Sequence, residues 1–240
     1  MCHTEKSGFF ALTADGEPFH DDGISGFRFG EVVSDRRVAI LPDIYGCTPF
    51  YKGFAAHLAA LGAKVDLIDI FDGLGDLPEQ TRERAFERRH RLKDRAFLDR
   101  FEAYARRAKV NGVVGFCIGG LFVYELARRD LPAALVSFYG FPQGLPNQDA
   151  LDTPLTYLGD VTRPHLSLFG EQDELVPVPV QQQLRAVAER QPACRMTMFA
   201  GSGHAFLADL DSAEPRRRDN AIEALRLCEE ALFATAPTPA

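Results

Sequence analysis

The chain has 240 residues, 46% of them hydrophobic, and its formal net charge at pH 7 is -7. This length can bury a full core and no internal stretch has the composition of a linker, so we expect one domain over residues 1-240. The acidic balance argues against a general nucleic-acid-binding surface. The local exception is the segment from Glu79 to Lys109, which holds many arginines at helical spacing.

The N-terminus and the cysteines bear on the location of the protein. Residues 1–7 lack the apolar core of a signal peptide, and no apolar run approaches the roughly 20 residues that span a bilayer. The 5 cysteines are scattered without a C-x-x-C pair, which argues against a disulfide framework. We therefore expect a cytoplasmic protein with reduced thiols and no membrane contact.

Short apolar runs alternate with longer amphipathic stretches, which is typical of a mostly parallel, doubly wound α/β sheet with helices on both faces. The predicted strands are Val38–Leu41, Lys64–Ile70, Gly112–Phe116, Ala134–Tyr139, His165–Phe169 and Arg195–Phe199. The predicted helices are Tyr51–Leu61, Glu79–His90, Arg95–Lys109, Ile118–Arg128, Val180–Glu189 and Arg217–Phe233. The Gly-, Asp- or Pro-rich ends, Asp15–Gly26 and Thr235–Ala240, are expected to form turns and a loose tail.

The motif Gly-Phe-Cys-Ile-Gly-Gly, residues 115–120, lies between a predicted strand and a predicted helix. It has the form of a nucleophile elbow, in which a strained turn needs small neighbours such as Gly115 and Gly119. The sulfur of Cys117 would lie at a helix N-terminus, where backbone N–H groups favour a thiolate. Most free cysteines only pack in the core, so the motif needs support from the rest of the chain.

Asp173 and His204 supply that support. They follow Cys117 in the order nucleophile, acid, histidine that α/β-hydrolases use. A thiol attacks a carbonyl only as thiolate, so it needs a base, and the base needs an orienting partner. Glu171 and Glu174 are alternatives for the acid, although Asp173 has the better flanking residues.

Candidate site residues follow the ends of four predicted strands: Asp43, Cys117, Asp173 and His204. Ligands of open parallel sheets bind beyond the carboxyl ends of the strands, so these side chains should meet at one rim. Backbone N–H groups at two strand ends usually stabilise the oxyanion of acyl transfer. We predict that the N–H groups of Ile44 and Ile118 do so here.

Four motifs together resemble the dienelactone hydrolase family, also called carboxymethylenebutenolidases. They are residues 115–120, 169–177 and 201–206, and the run 43–46 with the helix that follows it. The resemblance covers nearly the whole chain and implies an α/β-hydrolase fold with Cys117 as nucleophile, His204 as base and Asp173 as its orienter. It further implies a thioester acyl-enzyme, a monomer without cofactor, and enol-lactone substrates from ring-cleavage pathways of aromatic degradation.

The chain departs from the family pattern at several places. The family usually has Glu at the position of Asp43, where it takes the thiol proton, and an Arg shortly after the histidine, where this chain has Ala208. A family Arg that clamps the substrate carboxylate matches Arg82, with Phe86 in place of a Tyr one turn later. The same motifs give Tyr45, Ala205 and Phe206 as further substrate-binding candidates. For Arg84, Arg88 and Arg89 we expect a solvated helix face.

Two other function classes fit parts of the pattern. Enzymes of the amidotransferase and DJ-1-like folds also place a cysteine on an elbow, but they follow it with His or a different glycine pattern. A catalytically silent α/β-hydrolase that serves as a binding module has no reason to retain all three triad residues. The histidines outside the motif lack the spacing of metal ligands, so we expect no metal site. The expected partner is a small lactone or ester substrate.

Overall fold

The computed structural model describes residues 7–10, 15–31 and 34–233. These residues form one eight-stranded sheet: β1 (Glu17–Asp21), β2 (Ile24–Phe29), β3 (Arg37–Leu41), β4 (Lys64–Ile68), β5 (Gly112–Phe116), β6 (Ala134–Phe138), β7 (His165–Gly170) and β8 (Cys194–Phe199). The spatial order is β1-β2-β4-β3-β5-β6-β7-β8. Strands β3 to β8 are mutually parallel, β2 pairs antiparallel with β4, and β1 pairs antiparallel with β2. The mostly parallel sheet confirms the predicted fold class.

The α-helices of the described residues are α1 (Pro49–Ala60), α2 (Arg82–Arg91), α3 (Asp94–Arg107), α4 (Ile118–Arg128), α5 (Val178–Arg190) and α6 (Pro215–Phe233). Each corresponds to a predicted helix, with ends that differ by a few residues at most. None of the helices in this part of the chain is long and apolar enough to cross a membrane. The predicted tail Thr235–Ala240 lies outside the described residues.

The centre of the sheet positions the elbow. Every residue of β5 is buried, and α4 is buried along its whole length except at Arg128. A strand that is buried on both faces reads as a continuous apolar run, and a helix that is apolar all round lies inside the molecule. Cys117, which joins these two elements, is therefore anchored in the buried core.

The prediction of turns over Asp15–Gly26 is wrong, because β1 and the first half of β2 occupy this segment as a hairpin. Asp22 and Gly23 form the two-residue connection with φ values of 49° and 78°, and Asp21 pairs with Ile24. Two successive positive φ values match the twist of a hairpin, and Asp-Gly is a strong sequence signal for that turn. The Gly- and Asp-rich composition is typical of turns, but the residues on either side of Asp-Gly alternate as strands do.

The arginine-rich segment is mostly neutralised within the protein. Exposed arginines pair with carboxylates, as in Arg84–Glu87 (2.8 Å) and Arg106–Glu102 (2.8 Å). The prediction of a solvated helix face agrees with Arg84 but is wrong for Arg88 and Arg89, which are 7% and 4% exposed. Their charges are accommodated by partners from other elements, which helical spacing alone does not reveal.

Candidate functional site

Cys117 lies at a strained turn between β5 and α4. Its backbone has φ 57° and ψ -112°, a conformation that costs free energy for a residue with a Cβ. The turn is held on both sides, because Cys117 N donates to Phe138 O (3.0 Å) and Leu121 N donates to Cys117 O (3.1 Å). The surrounding core therefore maintains the strain and keeps the thiol at the head of the helix.

Two glycines make room for this turn, as the sequence predicts. A Cβ on Gly115 would lie 2.1 Å from Gly119 O, and a Cβ on Gly119 would lie 2.0 Å from Leu41 O. Both distances are far inside van der Waals contact with backbone atoms that cannot move cheaply. The elbow thus packs directly against the end of β3, whose following loop carries Asp43 and Ile44.

His204 and Asp173 form a direct pair. His204 Nδ1 lies 2.8 Å from Asp173 Oδ2, and Asp173 Oδ1 accepts from Leu175 N (2.9 Å). A carboxylate only accepts, so Nδ1 carries the proton, and in the neutral imidazole Nε2 then presents its lone pair. Asp173 is 3% exposed, and the competing acids Glu171 and Glu174 are exposed on the same loop. The geometry selects Asp173 among the three acids.

The two loops that carry this pair are tied together by their backbones. Gln172 N, next to Asp173, donates to Ser202 O (2.8 Å). Ser202 Oγ in turn accepts from Asn220 Nδ2 on α6 (2.9 Å). Ala205, directly after the histidine, has φ 59°, which turns the chain away from His204. The acid loop is therefore hydrogen-bonded to the base loop, and the base loop to α6.

Two aromatic rings that the sequence analysis missed hold the imidazole in place. The centre of the His204 ring lies 5.0 Å from the centre of the Tyr139 ring and 5.7 Å from that of the Phe141 ring. The planes of the His204 and Phe141 rings are stacked at 29°. His204 Nε2 is buried and has no hydrogen-bond partner among the described residues. A signal was available, because both aromatics follow β6, which lies between the strands that lead to Cys117 and Asp173. Residues after β6 must reach the same rim.

The loop after β3 is organised by its own carboxylate. Asp43 is 1% exposed, and its Oδ1 accepts from Tyr45 N (2.9 Å). Leu41 pairs with Gly115 in the parallel ladder. Asp43 and Cys117 each follow their paired residue by two positions, so they emerge side by side from adjacent strands. Ile44 and Ile118 are buried at the same rim.

The predicted substrate-binding residues differ in their surroundings. Arg82 and Phe86 are exposed on α2, with the guanidinium 5.5 Å from the centre of the phenyl ring. Tyr45 is half-buried, whereas Ala205 and Phe206 are buried. Phe206 packs 5.0 Å from the ring of Phe199. Contact of these five residues with substrate stays a prediction.

Burial disfavours the ionised form of the other three described cysteines. Burial raises the pKa of the Cys194 thiol to about 11. Burial also raises the pKa values of Cys47 and Cys228. None of the four cysteines in the described part of the chain forms a disulfide. Cys117 is the one among them that lies at the end of a central strand and the start of a helix.

Residues 30–230 match the model of the dienelactone hydrolase family. The chain belongs to this family. Carboxymethylenebutenolidase 2 of Cupriavidus pinatubonensis is 42% identical over 228 residues, covering 95% of this chain and 97% of the relative. Carboxymethylenebutenolidase of Rhodococcus opacus is 30% identical over 220 residues, covering 88% and 87%. The protein is thus a dienelactone hydrolase-like enzyme.

A crystal structure from Klebsiella pneumoniae, described as a candidate dienelactone hydrolase, matches with a TM-score of 0.76 at 18% identity, covering 88% of this chain and 93% of that one. A dienelactone hydrolase-like promiscuous phosphotriesterase, P91, matches with a TM-score of 0.61 at 20% identity, covering 87% and 91%. These likenesses show the α/β-hydrolase fold. The amidotransferase-like, DJ-1-like and binding-module alternatives are not favoured.

Proposed function

We propose that this family member hydrolyses lactones or carboxylic esters through a Cys117-His204-Asp173 triad and a thioester acyl-enzyme. The observation that carries the proposal is the 2.8 Å contact between His204 Nδ1 and Asp173 Oδ2. It leaves the buried lone pair of His204 Nε2 without a partner among the described residues. A buried acceptor without a partner is costly in a folded protein, and an incoming thiol proton would satisfy it.

The first half-reaction forms the acyl-enzyme. His204 Nε2 takes the proton of the Cys117 thiol, and the thiolate attacks the carbonyl carbon of the substrate. The oxyanion is stabilised by the N–H groups of Ile44 and Ile118. Collapse of the intermediate breaks the bond between the acyl carbon and the ester oxygen, and the leaving oxygen takes the proton from His204. In a lactone the leaving group stays attached to the acyl chain.

The second half-reaction releases the product. A water molecule gives a proton to His204 Nε2 and attacks the thioester carbonyl, with the oxyanion again held by the two backbone N–H groups. The carbon–sulfur bond breaks, and the proton held by His204 returns to the sulfur. Asp173 keeps the imidazole in one tautomer and stabilises its charged form in both halves.

Substrate recognition is proposed to involve Arg82, which is exposed on α2 and carries a charge that suits a substrate carboxylate. Phe86 stacks beside it and offers an apolar surface to an unsaturated ring. The names of the curated relatives support a butenolide-type lactone. Ala208, exposed after the histidine, offers no second cation. We further propose that the protein is a single-domain monomer, which gel filtration tests, and that it is cytoplasmic, which cell fractionation tests. Its proposed role is in aromatic degradation.

The nucleophile is tested by replacing Cys117. Cys117→Ala should abolish hydrolysis of dienelactone and p-nitrophenyl acetate, and Cys117→Ser should retain a trace, because a hydroxyl is far less acidic than a thiol. Acid quenching of the native enzyme during turnover should trap an acyl group on the peptide that contains Cys117. Turnover of Cys117→Ala near the native rate would disprove the triad.

Thiol reactivity provides an independent test that needs no substrate. Iodoacetamide near neutral pH should label Cys117 ahead of Cys47 and Cys194, because burial raises the pKa values of those two thiols. Labelling sites are identified by peptide mass spectrometry. Equal labelling rates for Cys117 and Cys194 would remove the support for an activated nucleophile.

A further inference from the structure

The guanidinium of Arg88 reaches from α2 to the loop that carries the proposed oxyanion donor. Arg88 Nη2 donates to Ile44 O (3.1 Å), and this hydrogen bond is buried. The guanidinium also lies over the ring of Phe71, 4.1 Å from its centre. The side chain is 7% exposed. Arg88 is therefore held in one place by a carbonyl on one side and an aromatic face on the other.

The peptide group between Ile44 and Tyr45 is bound at both ends. Its C=O accepts from Arg88 Nη2, and its N–H donates to Asp43 Oδ1 (2.9 Å). A trans peptide is planar, so two opposed contacts fix the orientation of the whole group. The Arg88 contact supplies one side of this clamp from a different element, 44 residues away in sequence.

The preceding peptide group carries the Ile44 N–H itself. Its C=O, which belongs to Asp43, accepts from Gly46 N (3.0 Å). In a trans peptide the N–H points opposite to the C=O, so the Ile44 N–H is directed away from Gly46. Two consecutive peptide groups are thus held by three hydrogen bonds. Of these three, the bond from Arg88 comes from a side chain outside the loop, and the other two lie within the loop.

The burial of Arg88 carries a cost in stability. Burial lowers its pKa, although the charge of Asp69 opposes this effect. Its Nε is buried without a hydrogen-bond partner among the described residues. An apolar side chain of similar volume is often at least as stable as a buried charge of this kind. A role in positioning the Ile44 carbonyl would account for a buried arginine at this place.

We propose that Arg88 is a positioning residue for the oxyanion hole: by holding the Ile44 carbonyl, it keeps the Ile44 N–H aimed at the developing oxyanion. The proposal rests on the proposed function, in which that N–H is one of two donors. Arg88 contacts neither the substrate nor Cys117 in this mechanism. Arg88 acts through the loop, so its replacement should destabilise the transition state more than the bound ground state.

Arg89 offers a matched control on the same helix. It is 4% exposed and pairs with Asp94 at 2.7 Å. Asp94 also accepts from Asn147 Nδ2 (3.0 Å). Both arginines are therefore buried on α2 with polar partners, but the described contacts of Arg89 run away from the Ile44 loop. Substitution of Arg89 tests general damage to the helix.

The experiment compares Arg88→Met and Arg88→Lys with Arg89→Met and Arg89→Lys. For each variant, kcat and KM are measured on p-nitrophenyl acetate, together with the rate of Cys117 alkylation by iodoacetamide. Alkylation needs the thiolate but develops no oxyanion. Arg88→Met should lower kcat about tenfold, less than the loss of a whole donor, with KM and the alkylation rate changed less than about twofold. The kcat of Arg88→Lys, which can still donate a hydrogen bond, should lie between those of Arg88→Met and the native enzyme.

The Arg89 variants should lower the thermal midpoint while kcat stays close to the native value. If Arg88→Met does not fold, the same three measurements on Arg88→Lys and Arg89→Lys test the proposal instead. The proposal is overturned if Arg88 variants keep the native kcat, or if kcat and the alkylation rate fall together. Failure of the proposed function has a separate signature, because there Cys117→Ala would remain active whatever the Arg88 variants do.

Discussion

Asp173 and His204 are joined by a 2.8 Å hydrogen bond between Oδ2 and Nδ1, although they are 31 residues apart on separate loops. The acid loop follows β7 and the base loop follows β8, two adjacent parallel strands whose ladder runs to the pair Gly170 and Phe199. The sheet register therefore determines which acid meets the histidine. Asp173 is buried at this junction, and its second oxygen is bound by Leu175 N.

The pair should act as a unit with the nucleophile. Asp173→Asn and His204→Ala should each lower kcat by about 10³-fold or more, and the double variant should lose little beyond the worse single one. Kinetics on p-nitrophenyl acetate measure this, with thermal midpoints to verify folding. Asp173→Asn retains an acceptor for Leu175 N, so it should remain folded. Losses that multiply in the double variant would show that one residue is structural.

Arg82 should matter for charged substrates. Arg82→Ala should raise KM for a carboxylate-bearing lactone by about fivefold to tenfold, because an exposed charge pair is screened by water and salt. KM for neutral esters should not change. Arg84→Ala is the matched control, since Arg84 is exposed on the same helix and pairs with Glu87. Equal effects of Arg82→Ala on acidic and neutral substrates would contradict the carboxylate contact.

Asp43 should influence the chemistry of the thiol more than substrate binding. Asp43→Asn keeps an oxygen that can accept from Tyr45 N, but it removes the acidic group beside the elbow. We expect kcat to fall about tenfold for acidic and neutral substrates alike, with a changed pH profile and a nearly constant KM. Asp43→Ala, which also removes the Tyr45 contact, should in addition lower the thermal midpoint. An unchanged kcat and pH profile in Asp43→Asn would mean that His204 alone activates Cys117.

Local patterns in the sequence were sufficient for much of the fold and for naming Cys117, Asp173 and His204 as candidates. Alternating apolar runs and amphipathic stretches predicted β3 to β8 and α1 to α6, because side-chain periodicity follows directly from backbone geometry. The elbow around Cys117 was readable since its glycines satisfy a steric demand within six residues. The hairpin of β1 and β2 was also locally encoded by Asp22 and Gly23, and composition obscured it.

Tertiary structure decided how distant groups meet. It selected Asp173 over two neighbouring acids, placed Tyr139 and Phe141 against the imidazole, and buried Arg88 and Arg89 on a helix that composition predicts to be solvated. Helical spacing tells which residues share a face but not what packs against that face. The partner of Arg88 is a backbone carbonyl 44 residues earlier, and a carbonyl carries no signature in the sequence. Contacts of this kind arise only when the sheet brings the strand ends to a common rim.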